Sequence, residues 1–118
     1  MDIKALAQDA APYVVERRHY YHQHPELTGE EKNTRDSIHR DLEALGITDI
    51  RDMVNCYGLV ATIHGGKPGK TICLRADMDA LEFIIDGKKT MIHACGHDGH
   101  TSMLLAAARE IHDRDLVK

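Results

Sequence analysis

Apolar residues recur at three- and four-residue steps at the start of the chain: Ile3, Leu6, Ala10, Tyr13 and Val14, with Arg17 continuing the row. That spacing predicts an amphipathic helix over residues 2–22. Pro12 falls inside it, which predicts a kink or break there, with the main helix starting at the proline. HQHPEL (22–27) interrupts the pattern, because the residue before a proline is pushed toward extended backbone. Thr28 with Glu31 three positions on reads as a capping box for a second helix. Ile38, Leu42 and Leu45 form its stripe, and Gly46 supplies a left-handed stop.

The period then changes. ITDIRDMV (47–54) reads as a strand, as do GLVATIH (58–64) and TICLRAD (71–77). The GGKPGK between the last two predicts a β-hairpin joining them. In the second, Ile72, Leu74 and Ala76 share one face; Cys73, Arg75 and Asp77 share the other, and Asp79 continues that parity. Residues 82–92 read as a short irregular connection. A last helix is expected from about Asp98, with Met103, Leu104, Ala107 and Ile111 as its apolar stripe. The order predicts an α/β class with a partly antiparallel, mixed sheet and helices at both ends. The final helix precedes no strand, so the fold is expected to end a layer early at LVK.

Composition narrows the function. The 118 residues fit one domain or a piece of one, and 42% hydrophobic with 29% charged residues is a globular balance. One Phe, four Tyr and no Trp leave the core to aliphatic residues. A net charge of −4 without a Lys/Arg block argues against nucleic acid as a partner. Met103–Ala108 is the longest clearly apolar run, too short for a membrane span, and the first residues lack a signal-peptide layout. Three cysteines, Cys56, Cys73 and Cys95, form no disulfide framework, which points to a reducing cytoplasm.

The chemistry concentrates in HACGHDGHT (93–101), where three histidines, one cysteine and one aspartate occupy nine positions. On extended backbone His93, Cys95 and His97 line one edge; on a helix Cys95 and His97 diverge by about 200°. A metal holds such residues as thiolate and neutral imidazole. Sulfur with nitrogen suits zinc, with manganese, cobalt and nickel open. The adjoining helix N-terminus favours negative charge. The bland alternative is a set of surface or hinge histidines.

Asp77 and Asp79, at the end of a predicted strand, are placed to bind a metal, orient a histidine or move a proton. The alternative is a turn cap and an Arg75 ion pair. His22 and His24 read as a packed helix exit rather than ligands. Cys56 and Cys73 read as small apolar fillers, and His39, His64 and His112 as solvated or locally satisfied.

Taken together, HQHPEL, GLVATI, GGKPG, LRADMDAL and HACGHDGHTSMLL resemble the aminoacylase-type dinuclear metallo-amidohydrolases. These include hippurate hydrolases, N-acyl amino acid amidohydrolases and auxin-conjugate hydrolases. The resemblance runs from Arg17 to Leu105. It implies the N-terminal portion of a metallopeptidase-like α/β/α catalytic domain, and hydrolysis of the amide of a small N-acyl amino acid or peptide-like substrate. It also implies two divalent ions, with Cys95 and His97 as metal ligands and Asp79 as the aspartate that orients the site. Asp77 stands where related metallopeptidases carry a histidine ligand. His93, His100, His22 and His24 match family positions without an assigned role.

The chain departs from the family pattern in two places. Glu82 replaces a proline, and FIIDGKKTMI shortens a segment that helps line the cleft. The family's Glu-Glu pair, two further histidine ligands and inserted lid or dimerisation domain have no counterpart; Glu110 is the only glutamate after His97. The expectation is a fragment of the catalytic domain over 1–118, inactive or nearly so alone. The alternatives are a non-catalytic metal-binding or homo-oligomerising module, and a structural domain whose histidines bind nothing.

Overall fold

The computed structural model describes residues 2–114; the final residues of the LVK end lie outside the described residues. The elements are α1 (Ile3–Gln23), α2 (Lys32–Ala44), β1 (Ile50–Asp52), β2 (Leu59–Ala61), β3 (Leu81–Ile85), β4 (Lys88–Ile92) and α3 (His97–Asp113). This is a mixed α/β arrangement with helices at both ends. Among the described residues no helix is long and apolar enough to cross a membrane.

α1 starts at Asp2, whose carboxylate accepts from the Ala5 amide at 3.1 Å. The expected break at Pro12 does not occur: α1 runs through it. The ring is exposed to solvent, and the long packing of α1 along α3 offsets the missing amide bond. The Thr28/Glu31 capping box is also not formed. α2 begins at Lys32, and Glu26 takes the orphan amides of Asn33 (3.4 Å) and Thr34 (2.5 Å). Gly29, at φ +82°, turns the chain so that a carboxylate from before the turn reaches the helix end. Thr28 is left free for another partner. Gly46 ends α2 at φ +88°, as its position predicted.

Tyr21, Ile38, Leu42, Ile47 and Leu105 form the core between the helices. On α3 the buried face is Thr101, Ser102, Leu105, Ala106 and Glu110, whereas Met103 is exposed. The expected stripe is thus rotated by about one residue. The reason is at the helix start, where buried Asp98 turns toward α1 and fixes which face follows.

The strands differ most from expectation. β1 and β2 pair antiparallel, Ile50 opposite Ala61 and Asp52 opposite Leu59. Residues 71–77 form no strand; Ile72 and Leu74 alternate as predicted but face solvent, with no neighbour to pair among the described residues. The second hairpin lies instead where an irregular connection was expected. β3 and β4 pair antiparallel from Leu81–Ile92 to Ile85–Lys88, closed by Asp86 (φ 52°) and Gly87 (φ 74°). Asp-Gly with both residues left-handed is the two-residue turn that matches strand twist. A single isolated parallel bridge, Leu27 to Ala80, joins the exit of α1 to the start of this hairpin.

Candidate metal centre

Three chain segments meet at the start of α3. Gly96, left-handed at φ 80°, turns the backbone from the end of the β3–β4 hairpin into the helix, so His97 is its first residue. The segment from Asp77 to Ala80 runs alongside. Thr101 donates to the Asp77 carbonyl at 2.7 Å, tying the first turn of α3 to that segment. The exit of α1 closes the third side: the Ala80 amide donates to the Glu26 carbonyl at 2.7 Å.

His97 is the hub. Its Nδ1 lies 2.7 Å from Asp79 Oδ1 and 3.1 Å from the Asp79 carbonyl, so Nδ1 carries the proton and donates to the carboxylate. Thr28 donates its hydroxyl to the other oxygen, Asp79 Oδ2. The Thr28 hydroxyl first, and then the His97 ring, hold the Asp79 carboxyl below the usual carboxylate range against the opposing effect of burial. Asp79 is therefore a charged acceptor that fixes the His97 ring and leaves Nε2 available.

Nε2 faces Asp77 Oδ2 at 3.5 Å. The other Asp77 oxygen takes Arg75 at 2.8 Å, so the expected ion pair exists beside the His97 contact. His100, one helical turn on, stacks on His97 with centroids 5.5 Å apart. Donor atoms of Asp77, His97 and His100 all lie within 4.8 Å of one another. Two imidazoles with a carboxylate, one imidazole oriented by a second carboxylate, are a donor set that suits a first-row divalent ion.

Of the residues expected from sequence, the fold thus joins Asp79 to His97 and adds Asp77 and His100. Cys95 is exposed and lies outside that trio. The single-edge arrangement of His93, Cys95 and His97 does not hold, because the backbone turns at Ala94–Cys95 and rotates at Gly96. His93 is buried, with neither ring nitrogen hydrogen-bonded among the described residues, and burial pushes its pKa down.

His22 and His24 stand at the exit of α1, His22 half-buried and His24 exposed rather than packed as expected. His22 Nδ1 meets Asp98 at 2.9 Å; His24 meets the Tyr20 carbonyl at 2.7 Å and stacks on the Tyr20 ring. His39 and His64 pair with Asp52 and Asp49, and His112 lies on the surface beside Asp113. Cys56 and Cys73, expected as apolar fillers, are both exposed, since the segments that carry them leave the core. Two participants escaped the sequence reading. Thr28 reads as a cap, and Asp98 marks the start of a helix with no role assigned to its carboxylate.

No protein-family model matches the chain. The N-acyl-L-amino acid amidohydrolase of Geobacillus stearothermophilus is 35% identical over 116 residues, covering 92% of this chain and 31% of the relative. The IAA-amino acid hydrolase ILR1-like 2 of Arabidopsis thaliana is 40% identical over 116 residues, covering 92% and 26%. The crystal structure of Bacillus subtilis YXEP, described as a dinuclear metal binding peptidase from the M20 family, superposes with a TM-score of 0.76 at 32% identity. That match covers 95% of this chain and 32% of YXEP. The chain thus spans about a quarter to a third of the length of these relatives. Ordered motifs, fold and similarity point the same way: over more than nine-tenths of its length the chain is similar to curated amidohydrolases and to a structure described as an M20-family peptidase.

Proposed function

We propose that this chain is the metal-binding, N-terminal part of the catalytic domain of a cytoplasmic amidohydrolase that cleaves N-acyl amino acids or small peptide-like amides. The observation that carries this reading is the His97–Asp79 pair, with Nδ1 committed to the carboxylate and Nε2 turned toward Asp77 and beside His100. His97 holds a divalent ion, zinc or manganese, with cobalt or nickel as further candidates; Asp77 and His100 are the neighbouring donors, and Cys95, outside that trio, is the second ligand that the resemblance implies. The complete site takes two such ions, which supply Lewis acidity toward a water and the scissile carbonyl.

The chain's own residues orient rather than complete the reaction. Asp79 keeps His97 in the Nδ1–H tautomer, and Thr28 keeps Asp79 charged and aimed. Glu110, the only glutamate after His97, is buried on α3 and bound by Arg114 at 2.5 Å, so it serves as an ion-pair partner and not as a base. The 118-residue chain is therefore inactive or nearly so alone.

The test is metal analysis and zinc titration of tag-free protein, followed by an assay on N-acetyl amino acids. Zinc bound by the wild type and lost in His97→Ala, with no turnover, is the expected result. No bound ion overturns the metal assignment. Robust metal-dependent turnover overturns the inactivity.

A second reading, a non-catalytic module that homo-oligomerises, is favoured by one feature. The β3–β4 hairpin exposes Phe83, Ile84 and Ile85 beside two edges that are unpaired among the described residues. Self-association without zinc binding would select it.

A further inference from the structure

His97 and Asp98 are consecutive, yet they serve different neighbours. His97 turns to Asp79. Asp98, 1% exposed, turns to α1, where Arg18 Nε lies 3.0 Å and His22 Nδ1 2.9 Å from the same oxygen, Oδ2. Arg18 and His22 are four residues apart and so share one helix face. A buried carboxylate held by two donors on a neighbouring helix fixes the rotation of the first turn of α3 about its own axis. That rotation decides where His97, about 100° further round, points.

The same stretch of chain holds the other half of the pair. Just beyond His22, Glu26 and Leu27 bind the backbone of Ala80, next to Asp79. Thr28 then takes the Asp79 carboxylate itself. Within seven residues, 22–28, one segment contacts the residue after His97, the residue after Asp79, and Asp79.

We infer that segment 22–28 is the positioning device for the His97–Asp79 pair, acting through His22 on Asp98 and through Thr28 on Asp79, and that Asp98 is a positioning residue for His97. The geometry stands by itself; the consequence for metal affinity rests on the reading of His97 as a ligand. The HQHPEL motif thereby has a role that requires neither of its histidines to bind metal.

The experiment compares Asp98→Asn, His22→Gln and Thr28→Val with Asp9→Asn. Asp9 ties α1 to α3 at the far end, through Arg109 at 3.5 Å and Arg114 at 3.2 Å. It therefore reports on helix docking without touching the site. Nitrogen-15 spectra of the imidazole rings read the His97 tautomer without metal, and zinc titration reads affinity. In the three site variants the Nδ1–H tautomer of His97 should lose its dominance and zinc affinity should fall about 10- to 100-fold. Asp9→Asn should lower the melting temperature and leave the His97 ring unchanged.

Arg18 and His22 are 46% and 41% exposed in their side chains and regain water when Asp98 is neutralised, so Asp98→Asn is expected to fold. If it does not, His22→Gln and Thr28→Val decide. Wild-type His97 signals in the folded site variants overturn the inference, as does the same change in Asp9→Asn. A wild type that binds no zinc removes the metal reading alone, because the tautomer comparison remains decisive.

Discussion

Tyr21 donates its hydroxyl to Asp41 Oδ2 at 2.5 Å, joining α1 to α2 inside the core. Arg17 grips the same carboxylate through both oxygens, at 2.9 and 2.8 Å, and both side chains of that ion pair are largely buried. A carboxylate held by two donors, the Arg17 guanidinium and the Tyr21 hydroxyl, is worth more as a whole than as separate pairs. Asp41→Ala strands the Tyr21 phenol, leaves the Arg17 guanidinium with the exposed Glu16 at 3.1 Å, and should destabilise the fold by about 2–4 kcal/mol. Asp41→Asn, which keeps an acceptor, should cost less. Urea denaturation followed by circular dichroism measures both; equal, negligible losses would show that the triad contributes nothing.

The same cluster predicts an alkaline limit. Burial first, and then the Asp41 charge, push the Tyr13 phenol from its ordinary 10.0 up to about 12, and Tyr21 moves in the same direction. The folded chain therefore holds these protons more tightly than the unfolded chain. The associated stability is fully present below pH 10.0 and is lost as pH rises through about 12. Melting temperature should hold up to about pH 10 and fall above that. Tyr13→Phe should make the fall shallower; an unchanged slope would assign it to other groups.

Gly46 combines two constraints. Its φ of +88° is one that L side chains rarely adopt, and a Cβ there would sit 3.0 Å from His112 Cε1 on α3. Gly46→Ala should cost about 1–2 kcal/mol from the backbone alone. Adding His112→Ala should recover only the steric part, so the double variant should melt between the single variant and the wild type. Full recovery would mean that the backbone conformation carries no cost.

How much of this was legible follows from which signals are local. The Gly46 stop, the Ile38/Leu42 stripe and the start of α3 depend on neighbouring residues and read directly from the chain. The Asp86-Gly87 turn was equally local, between FII and KKTMI, but the pull of GGKPGK drew the hairpin to the wrong segment. The capping of α2 by Glu26 depends on Gly29 reversing the chain, which spacing does not report. For the site, the sequence singled out Asp79 and His97, which the fold joins. The meeting of Thr28 with Asp79, and of His22 with Asp98, spans 51 and 76 residues and follows only from packing. The place of Cys95 outside the trio follows from a left-handed Gly96, which extended parity could not anticipate.

The β3–β4 hairpin carries the last expectation. Phe83, Ile84 and Ile85 are 40%, 73% and 46% exposed, in a strand whose outer edge is unpaired among the described residues. β4 carries Lys88 and Lys89, which discourage pairing on its side; β3 carries only Glu82. The apolar row and the free edge together favour association of one β3 with another. Sedimentation velocity should show the wild type growing heavier with concentration above its 13.2 kDa chain mass. Ile84→Lys adds charge at the most exposed of the three positions, opposite Lys89, and should shift the protein toward the monomer without changing its helical signal. A wild type that remains a monomer at every concentration would show that the charges already present suffice. A mutant that associates as strongly would move the contact away from β3.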